Sequence, residues 1–509
     1  MKTSINVATI AILIICITAL SAFGGSREDG AVGFDQLDKY QKAVDNDPMT
    51  GLQINAITNN KIKDLSLNRQ SLTGHDKIFN HSLKSAGITN QKSSGRCWMY
   101  AGFNVFSPDV ATKIKLSKFE LSQSWLAFWD KVEKSNLFLE DIIRLADRPI
   151  NDRELQGLLE SPIGDGGWWH YFTGLVNKYG VVPKSAMPET KQSSSTGMLN
   201  KLATSRLRGF ASELRQMHSD GKSIKDMRKR KDVMLGDVYK ILVYTYGPPP
   251  SEFTLRWEPT EDDKKADSTE VEEAADDLVI DADKEDEKDD AKVDKKSEKE
   301  IIERQFTPRS FYDEFFGGTL PDYVALADVP TREYGKLYQI ETSRNIYEDD
   351  DYVILNLPIE RLKHYTQKSL LDSQVVWFAC DVGKQNYGDS GIFMDGVYDY
   401  NTTFGMDFRL SKADRINFKD ISPNHAMVFM GVDTATDGSP RKWLVENSWG
   451  TKPGDDGNWY MYNNWFDEYV LVTIIDRRQM EEAELEMLKQ KPTMVEAWDP
   501  FFLALRRLQ

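Results

Sequence analysis

The sequence predicts an α+β fold in which a helix-rich first half precedes a strand-rich second half. Apolar residues recur at helical spacing over residues 97–135 and again toward Tyr246. The run Gly247-Pro248-Pro249-Pro250 then ends the helical pattern. Beyond it the apolar segments are short and rich in β-branched and aromatic residues, which is typical of strands. We therefore expect a mainly α-helical lobe over residues 25–250 and a β-rich lobe over residues 251–485.

The predicted elements follow the chain in that order. The predicted helices cover residues 34–44, 97–114, 120–130, 170–178 and 205–246. The predicted strands cover residues 252–257, 352–357, 375–380, 426–432, 442–446, 459–462 and 469–475. Hydrophobic residues make up 40% of the chain and aromatic residues 11%, which is enough for a packed core and excludes wholesale disorder.

An apolar run near the N-terminus predicts export. Val7–Leu20 is fourteen residues long and carries no charge. It is shorter than the roughly 20 residues of a spanning helix and fits the apolar region of a signal peptide. Small residues suit cleavage after Ser21 or Gly24. We expect a signal peptide over residues 1–24 and an exported protein without a stable membrane span, periplasmic in a Gram-negative bacterium and otherwise secreted. An uncleaved N-terminal anchor is the alternative.

A strongly acidic segment interrupts the strand-rich half. Residues 261–300 hold 19 Asp or Glu against 8 Lys and contain no aromatic residue. Because such a segment buries little apolar surface, we expect a disordered insertion over residues 259–304, with a single charged helix as the alternative. It lies between two pieces that look like one folded unit, so it is predicted to be an enlarged loop and not a domain linker.

The insertion also explains most of the net charge. The whole chain carries −16, of which −11 lies in residues 261–300. Without that segment and the signal peptide, whose charged residue is Lys2, the body of the protein carries −6. We do not expect nucleic acid as a partner of this mildly acidic body. The charge of the body argues against such a partner less strongly than the charge of the whole chain does.

The cysteine count limits the chemistry. Cys16, Cys97 and Cys380 are the three cysteines, and they form neither a disulfide framework nor a CxxC metal-ligand pair. Cys16 lies within the predicted signal. Cys380 ends the run VVWFAC, which reads as a buried strand, so we do not expect a Cys97–Cys380 disulfide. No metal and no cofactor are expected, and any cysteine chemistry depends on one thiol.

Cys97 stands where a thiol can be activated. The turn Ser93-Ser94-Gly95 leads into a helix that is predicted to begin at Cys97. Unpaired N–H groups and the helix dipole favour an anion at that position, which predicts a lowered pKa for the thiol. Gln91 is close enough in the chain to donate its amide to a developing oxyanion beside the Cys97 N–H. The alternative is that Cys97 is a small core residue, as lone cysteines often are.

A base for this thiol is found at His425. It leads directly into the strand-like segment that begins at Ala426, which holds the imidazole at a strand mouth. Asn447 follows, and its amide can accept from the imidazole and orient it without adding a full charge. Trp449 can cover that hydrogen bond from water. The other five histidines have no comparable surroundings.

These segments together resemble the papain-like cysteine peptidases, and most closely their bleomycin hydrolase and aminopeptidase C branch. The resemblance covers nearly the whole chain and is carried, in order, by NQKSSGRCW, FELSQSWLAFWDKVEKSNLFLED, DGGWWHYFTGLVNKYGVVPKSAMPET, VWFACDVGK, NHAMVF, VENSWG, WFDEYV and KPTMVEAWDP. It implies a two-lobed papain-like fold with helical insertions and a C-terminal arm over residues 486–509.

The resemblance also implies residue roles. Cys97 would be the nucleophile, His425 the general acid and base, Asn447 the orienter of the imidazole and Gln91 the oxyanion donor. The substrate-binding residues would be Asp165, Gly166, Gly167 and Trp449. A turn that requires glycine is an equally good explanation of Gly166 and Gly167.

The activity implied is hydrolysis of peptides through a thioester, most often by an aminopeptidase. The branch forms hexamers in which the C-terminal arm lies in the cleft and binds the free amine of the substrate. Here the chain continues past Pro500 with a more basic tail, including Arg506 and Arg507, which disfavours an incoming ammonium group. We expect trimming near Ala504. The alternatives are a cysteine endopeptidase and a peptide-binding member with weak catalysis.

Overall fold

A computed structural model describes residues 30–260, 301–318, 320 and 322–501. Three predicted features lie outside these residues. They are the signal peptide over residues 1–24, the charged part of the insertion over residues 261–300 and the tail beyond Phe501. The structure does not test what is expected of these segments.

The helices of the described chain are concentrated before residue 250, as predicted. They are α1 (Phe34–Asp45), α2 (Thr50–Asn59), α3 (Ile62–Ser66), α4 (Arg69–Thr73), α5 (Cys97–Lys113), α6 (Gln123–Arg144), α7 (Arg153–Glu160), α8 (Trp169–Tyr179), α9 (Gly197–Ser219), α10 (Ile224–Tyr246), α11 (Pro308–Phe316), α12 (Ile359–Leu371), α13 (Tyr400–Phe404), α14 (Lys412–Asn417), α15 (Asn463–Tyr469) and α16 (Glu482–Met487). Ser122 and Ser223 cap α6 and α10 by accepting the N–H groups of Trp125 and Asp226, so both helices begin at polar caps.

Most strands form one large sheet. The strands are β1 (His81–Ser82), β2 (Phe253–Trp257), β3 (Ile302–Phe306), β4 (Tyr323–Ala327), β5 (Lys336–Ile340), β6 (Val353–Asn356), β7 (Val376–Cys380), β8 (Asn386–Tyr387), β9 (Ile392–Phe393), β10 (His425–Thr434), β11 (Pro440–Glu446), β12 (Asn458–Tyr462), β13 (Val470–Asp476) and β14 (Thr493–Val495). The order across the sheet is β14-β5-β6-β4-β13-β7-β10-β11-β12-β9-β8, and β1 pairs with β10. The central strands β7, β10 and β13 are almost fully buried, which explains their continuous apolar sequences.

The described chain divides into two compact units. The smaller contains the residues up to Asn68 together with Tyr398–Phe408, and within it the Asp399 N–H donates to the Ser66 carbonyl at 2.7 Å. The larger contains the rest, including α5 to α12 and the large sheet. The two predicted lobes, 25–250 and 251–485, both fall mainly in the larger unit, and their boundary stays a prediction.

A two-stranded hairpin carries the acidic insertion. β2 and β3 pair antiparallel, with Phe253 opposite Phe306 and Trp257 opposite Ile302. The segments on either side of the insertion therefore belong to one folded piece, as expected. Ile302–Arg304 already lies in a strand, so the described chain is ordered before the predicted insertion boundary at residue 304.

The sheet and α5 place the predicted site residues together. His425 begins β10 and lies directly opposite Cys380 of β7, while the end of β11 leads into Asn447. Helix α5, which begins at Cys97, packs on β10. Among the described helices, none combines the length and apolar character needed to cross a membrane.

Candidate active site

Cys97 is the first residue of α5 and its side chain is buried. The backbone N–H groups of Ala426, Trp98 and Cys97 itself interact with the sulfur and favour the thiolate, but burial outweighs them and raises the pKa of the thiol to about 11. The predicted lowering of this pKa by the helix terminus alone is therefore not found. Deprotonation of Cys97 requires a partner that takes the proton and remains beside the sulfur as a cation.

His425 can be that partner because its tautomer is determined. Its Nε2 lies 2.8 Å from Oδ1 of Asn447, and the same Oδ1 accepts the Ser448 N–H at 2.7 Å. Since Ser448 fixes this atom as the acceptor, Nε2 of His425 must donate, and Nδ1 is left without a proton. Nδ1 is then free to act as a base.

The surroundings of His425 keep the ring neutral and in place. Burial lowers the pKa of His425 to about 4, against the hydrogen bond that the ring donates to Asn447. The indole of Trp449 covers the imidazole, with ring centroids 4.8 Å apart and an angle of 31° between the planes. Trp449, which was predicted to bind substrate, lies where it shields the hydrogen bond between His425 and Asn447.

Gln91 is held by four hydrogen bonds to Ser448 and Ser94, one of which the Ser94 hydroxyl donates to the Gln91 carbonyl at 2.7 Å. Its backbone N–H donates to the Ser448 carbonyl at 2.8 Å, and its Oε1 accepts from the Ser448 hydroxyl at 2.6 Å. Its Nε2 donates to the Ser94 carbonyl at 2.6 Å. One amide hydrogen of Nε2 therefore remains for an additional acceptor. Ser448 orients this amide, and the sequence reasoning did not identify its role although it lies inside the motif VENSWG.

The strand-like pairing between the Gln91 and Asn447 segments requires a glycine. Gly450 has φ of +77°, and a Cβ there would lie 2.4 Å from Nδ2 of Asn90. The Gly450 N–H donates to the Thr89 carbonyl at 2.9 Å. A side chain at this position would displace the Asn90 amide and strain a backbone with positive φ.

Asp165 is a buried connector between the Cys97 loop and two helices. Its carboxylate accepts from the Gly95 N–H at 3.0 Å, from Lys131 Nζ at 2.8 Å, from Asn200 Nδ2 at 2.9 Å and from the Thr196 hydroxyl. Lys131 is the charged partner that holds the pKa of Asp165 well below its usual range, against burial. The carboxylate of Asp165 is therefore already hydrogen-bonded to groups of the protein itself. The predicted role in binding substrate did not include these contacts.

Gly166 and Gly167 also have structural partners. The Gly166 carbonyl accepts from Lys134 Nζ at 2.5 Å. A Cβ on Gly167 would lie 2.6 Å from the Trp98 ring, so the glycine is needed for close packing on the residue after Cys97. This packing is a structural reason for the glycine, and the substrate-binding role of Gly167 stays a prediction.

Arg96 holds the loop before Cys97 through contacts separate from those of Asp165. Its guanidinium is buried and pairs with both carboxylate oxygens of Glu189 at 3.0 and 2.8 Å. It also donates to the Ser193 carbonyl at 2.7 Å. A bidentate pair fixes the residue that precedes Cys97. In the described part of the chain, no cluster of His, Cys, Asp or Glu side chains is arranged to hold a metal ion.

Replacement of Asp165 by asparagine is expected to destabilise the protein by about 3–5 kcal/mol, because Lys131 would remain buried without its counter-charge. Urea unfolding followed by tryptophan fluorescence measures the loss. The exposed variant Asp147→Asn is the control and should unfold like the wild type. A loss below about 1 kcal/mol would show that Asp165 does not stabilise the loop, since that is the range of exposed pairs.

Comparison with known proteins identifies close relatives. The profile of the Peptidase C1-like family matches residues 31–280 and 278–502. Aminopeptidase C of Streptococcus thermophilus is 35% identical over 448 residues, which is 88% of this chain and 93% of the relative. Human bleomycin hydrolase is 32% identical over 468 residues, covering 90% of this chain and 95% of the relative. The crystal structure of PepW from Lactobacillus rhamnosis is 33% identical, with a TM-score of 0.83 over 93% of this chain and 99% of that one.

These relatives overturn the predicted localisation. Aminopeptidase C and bleomycin hydrolase are intracellular enzymes, so the prediction of an exported, periplasmic or secreted protein is wrong. It rested on the apolar run Val7–Leu20, and apolar runs of this length occur in buried and interfacial segments as well as in signal peptides.

The fold, by contrast, agrees with the prediction. The described chain combines helices with a large sheet, and the similarity to PepW extends over most of both chains. The matched profile spans the segments with Cys97, His425 and Asn447. The chain belongs to the Peptidase C1-like family, a family of papain-like cysteine peptidases.

Proposed function

We propose that this protein is a cysteine aminopeptidase that hydrolyses peptides through a thioester at Cys97. The observation that carries the proposal is the ordered pair of His425 and Asn447, joined at 2.8 Å, beside a sulfur that interacts with the Ala426 N–H. The names of the relatives, aminopeptidase C and bleomycin hydrolase, support the same reaction.

The reaction begins with proton transfer from the Cys97 thiol to Nδ1 of His425. Although burial opposes each charge separately, the thiolate and the imidazolium form together and stabilise one another at short range. The thiolate then attacks the carbonyl carbon of the substrate peptide, and the carbonyl oxygen becomes an oxyanion.

The oxyanion is stabilised by two donors, the Cys97 backbone N–H and the remaining amide hydrogen of Gln91. His425 returns its proton to the departing amine as the C–N bond breaks, which leaves a thioester on Cys97. Water, deprotonated by His425, then hydrolyses the thioester and restores the thiol. Asn447 keeps the imidazole in one tautomer and orientation through both steps.

The substrate lies in the cleft next to the segment of Asp165, Gly166 and Gly167. A cavity of about 520 Å³ opens beside Gly164 and is lined in addition by Lys134, Glu160, Arg344 and Lys419. We assign it to the residues of the substrate on the amino side of the scissile bond. Asp165 contributes by holding this segment and not by direct contact.

The enzyme assembles as a homo-oligomer, with the hexamer as the expected state. Helix α1 supports this, because none of its residues is buried and it exposes Phe34 by 90%, together with Leu37 and Val44 on one face. Apolar side chains in such a row are stabilised by a partner surface. Light scattering of the intact protein measures the state.

An aminopeptidase must distinguish a free substrate amine from a blocked one. We expect a peptide with a free N-terminus to be cleaved at least about tenfold more efficiently, by kcat/KM, than the same peptide with an acetylated N-terminus, because a paired ammonium adds about 1.5–3 kcal/mol of binding. Mass spectrometry of the products shows whether single N-terminal residues are released. Equal cleavage of the two peptides at internal bonds would identify an endopeptidase instead, and binding of both without cleavage would identify a peptide-binding protein.

A further inference from the structure

Glu446 is a buried carboxyl group that the proposed reaction does not use. It ends β11 and directly precedes Asn447. Only 3% of the residue is exposed. Its Oε1 accepts from Nδ2 of Asn104 at 2.7 Å, and its Oε2 accepts from the Ser85 hydroxyl. Both oxygens are therefore bound to the protein.

These partners place Glu446 between the two parts of the active site. Asn104 belongs to α5, seven residues after Cys97, and so it lies on the same side of that helix two turns further on. Glu446 belongs to the strand that leads into Asn447. The hydrogen bond at 2.7 Å is a direct connection between the helix of the nucleophile and the strand end of the imidazole orienter.

Both partners act as donors, which suits the carboxylate form. The Ser85 oxygen accepts the Gly87 N–H at 3.0 Å, so its proton is available for Glu446. Asn104 presents its amide N–H₂. Its hydrogen-bond partners, Asn104 and Ser85, are uncharged. Its register partners, Val428 on β10 and Asn458 on β12, are uncharged as well, so none of these described neighbours compensates a negative charge.

We propose that Glu446 is a positioning residue whose carboxylate fixes Asn447, and through it His425, against the helix that carries Cys97. This inference rests on the proposed function. The ionised form is the working form, since a carboxylate accepts from both Ser85 and Asn104, whereas protonation turns one of its oxygens into a donor and forces one of these hydrogen bonds to break or reverse.

The negative charge of Glu446, which favours activity, has the opposite effect on stability. Burial raises the pKa of Glu446 to about 7, against the hydrogen bond from Ser85. A carboxyl group whose pKa is raised by folding stabilises the folded state when protonated, and this stabilisation is lost as the pH rises through the pKa of the folded state. The wild type should therefore lose stability between about pH 4.5 and 7, and gain activity as the carboxyl group ionises around pH 7. If Glu446 had a purely structural role, its ionisation would lower the activity and the stability of the protein together.

Glu446→Gln separates these two effects because it keeps the volume and removes the charge. At pH 8 we expect kcat to fall about tenfold, KM to stay within about twofold and Tm to be equal to or higher than that of the wild type. In this variant the rise of kcat/KM near pH 7 should disappear. The rise at lower pH, which follows deprotonation of His425, should remain. Asn104→Leu, which removes the donor on α5, should lower kcat similarly, and the double variant should be no worse than either single variant. Glu482→Gln, on the surface, is the matched control.

The outcomes discriminate between the claims. The inference is overturned if Glu446→Gln keeps the kcat and the limb near pH 7, or if its kcat falls only in proportion to a lower Tm. The pH dependence of Cys97 alkylation gives the same readout without turnover, and its limb near pH 7 should also vanish in Glu446→Gln. A wild type that alkylates in this way but cleaves no peptide would contradict the proposed function and leave the positioning role supported.

Discussion

Replacement of Cys97 by serine is expected to lower kcat/KM on a free peptide by about 10⁴-fold or more without unfolding the protein. The serine hydroxyl has nearly the size of the thiol, but at neutral pH it is a far weaker nucleophile and its proton is harder to transfer to His425. Steady-state kinetics on purified wild type and variant measure the loss, and Tm confirms that both are folded.

The second buried thiol provides the matched control. Cys380 lies opposite His425 in the sheet, and its sulfur lies 3.9 Å from the His425 backbone carbonyl oxygen. Cys380→Ala should therefore keep kcat/KM within about tenfold of the wild type, despite a cavity that lowers Tm. If Cys97→Ser kept its activity and Cys380→Ala lost it, the nucleophile would have been assigned to the wrong cysteine.

Replacement of His425 by alanine is expected to shift alkylation of Cys97 by iodoacetamide strongly to alkaline pH. With the imidazole removed, burial holds the pKa of the thiol near about 11, so at pH 7 only about 10⁻⁴ of the protein carries a thiolate. In the wild type His425 accepts the proton and the thiolate forms near neutral pH. The rate of alkylation between pH 5 and 10 measures the difference.

His218, an exposed residue of α9, supplies the control for this experiment. His218→Ala should alkylate with the same pH profile as the wild type. A His425→Ala variant that alkylates at pH 7 as fast as the wild type would show that the helix terminus alone activates the sulfur, as the sequence suggested at first. A wild-type thiol that reacts only above about pH 10 would show that no thiolate–imidazolium pair forms.

The sequence predicts some elements well and others poorly. The helix predicted over residues 205–246 is two helices, α9 and α10, and α6 extends well beyond the predicted helix over residues 120–130. Helix α5 and strand β10 have unambiguous apolar patterns and lie within a few residues of their predicted positions. Strands β4 and β5 were not predicted. Each is five residues long, but so are β2 and β7, which were predicted, so length alone does not explain the difference. Strand β4 pairs with β13, which is distant in the sequence, and β5 pairs with the next strand, β6.

The site shows the same division between local and distant information. Cys97, His425 and Asn447 lie in local motifs, and the structure brings them together. Asp165 lies in an equally clear motif, but its contacts come from Lys131 and Asn200, which only the packing of helices places beside it. The pKa of Cys97 was misjudged for a similar reason, since burial is a property of the whole fold and a helix terminus is a local one.

Alkylation with mapping of the modified residue tests the central claim most directly. Limiting amounts of iodoacetamide are added at pH 7, residual peptidase activity is measured, and the modified cysteine is identified by mass spectrometry. We expect activity to fall in proportion to modification of Cys97, reaching zero at one label per chain, with Cys380 unmodified. Full activity with Cys97 completely modified would contradict the account of this protein as a peptidase that acts through Cys97.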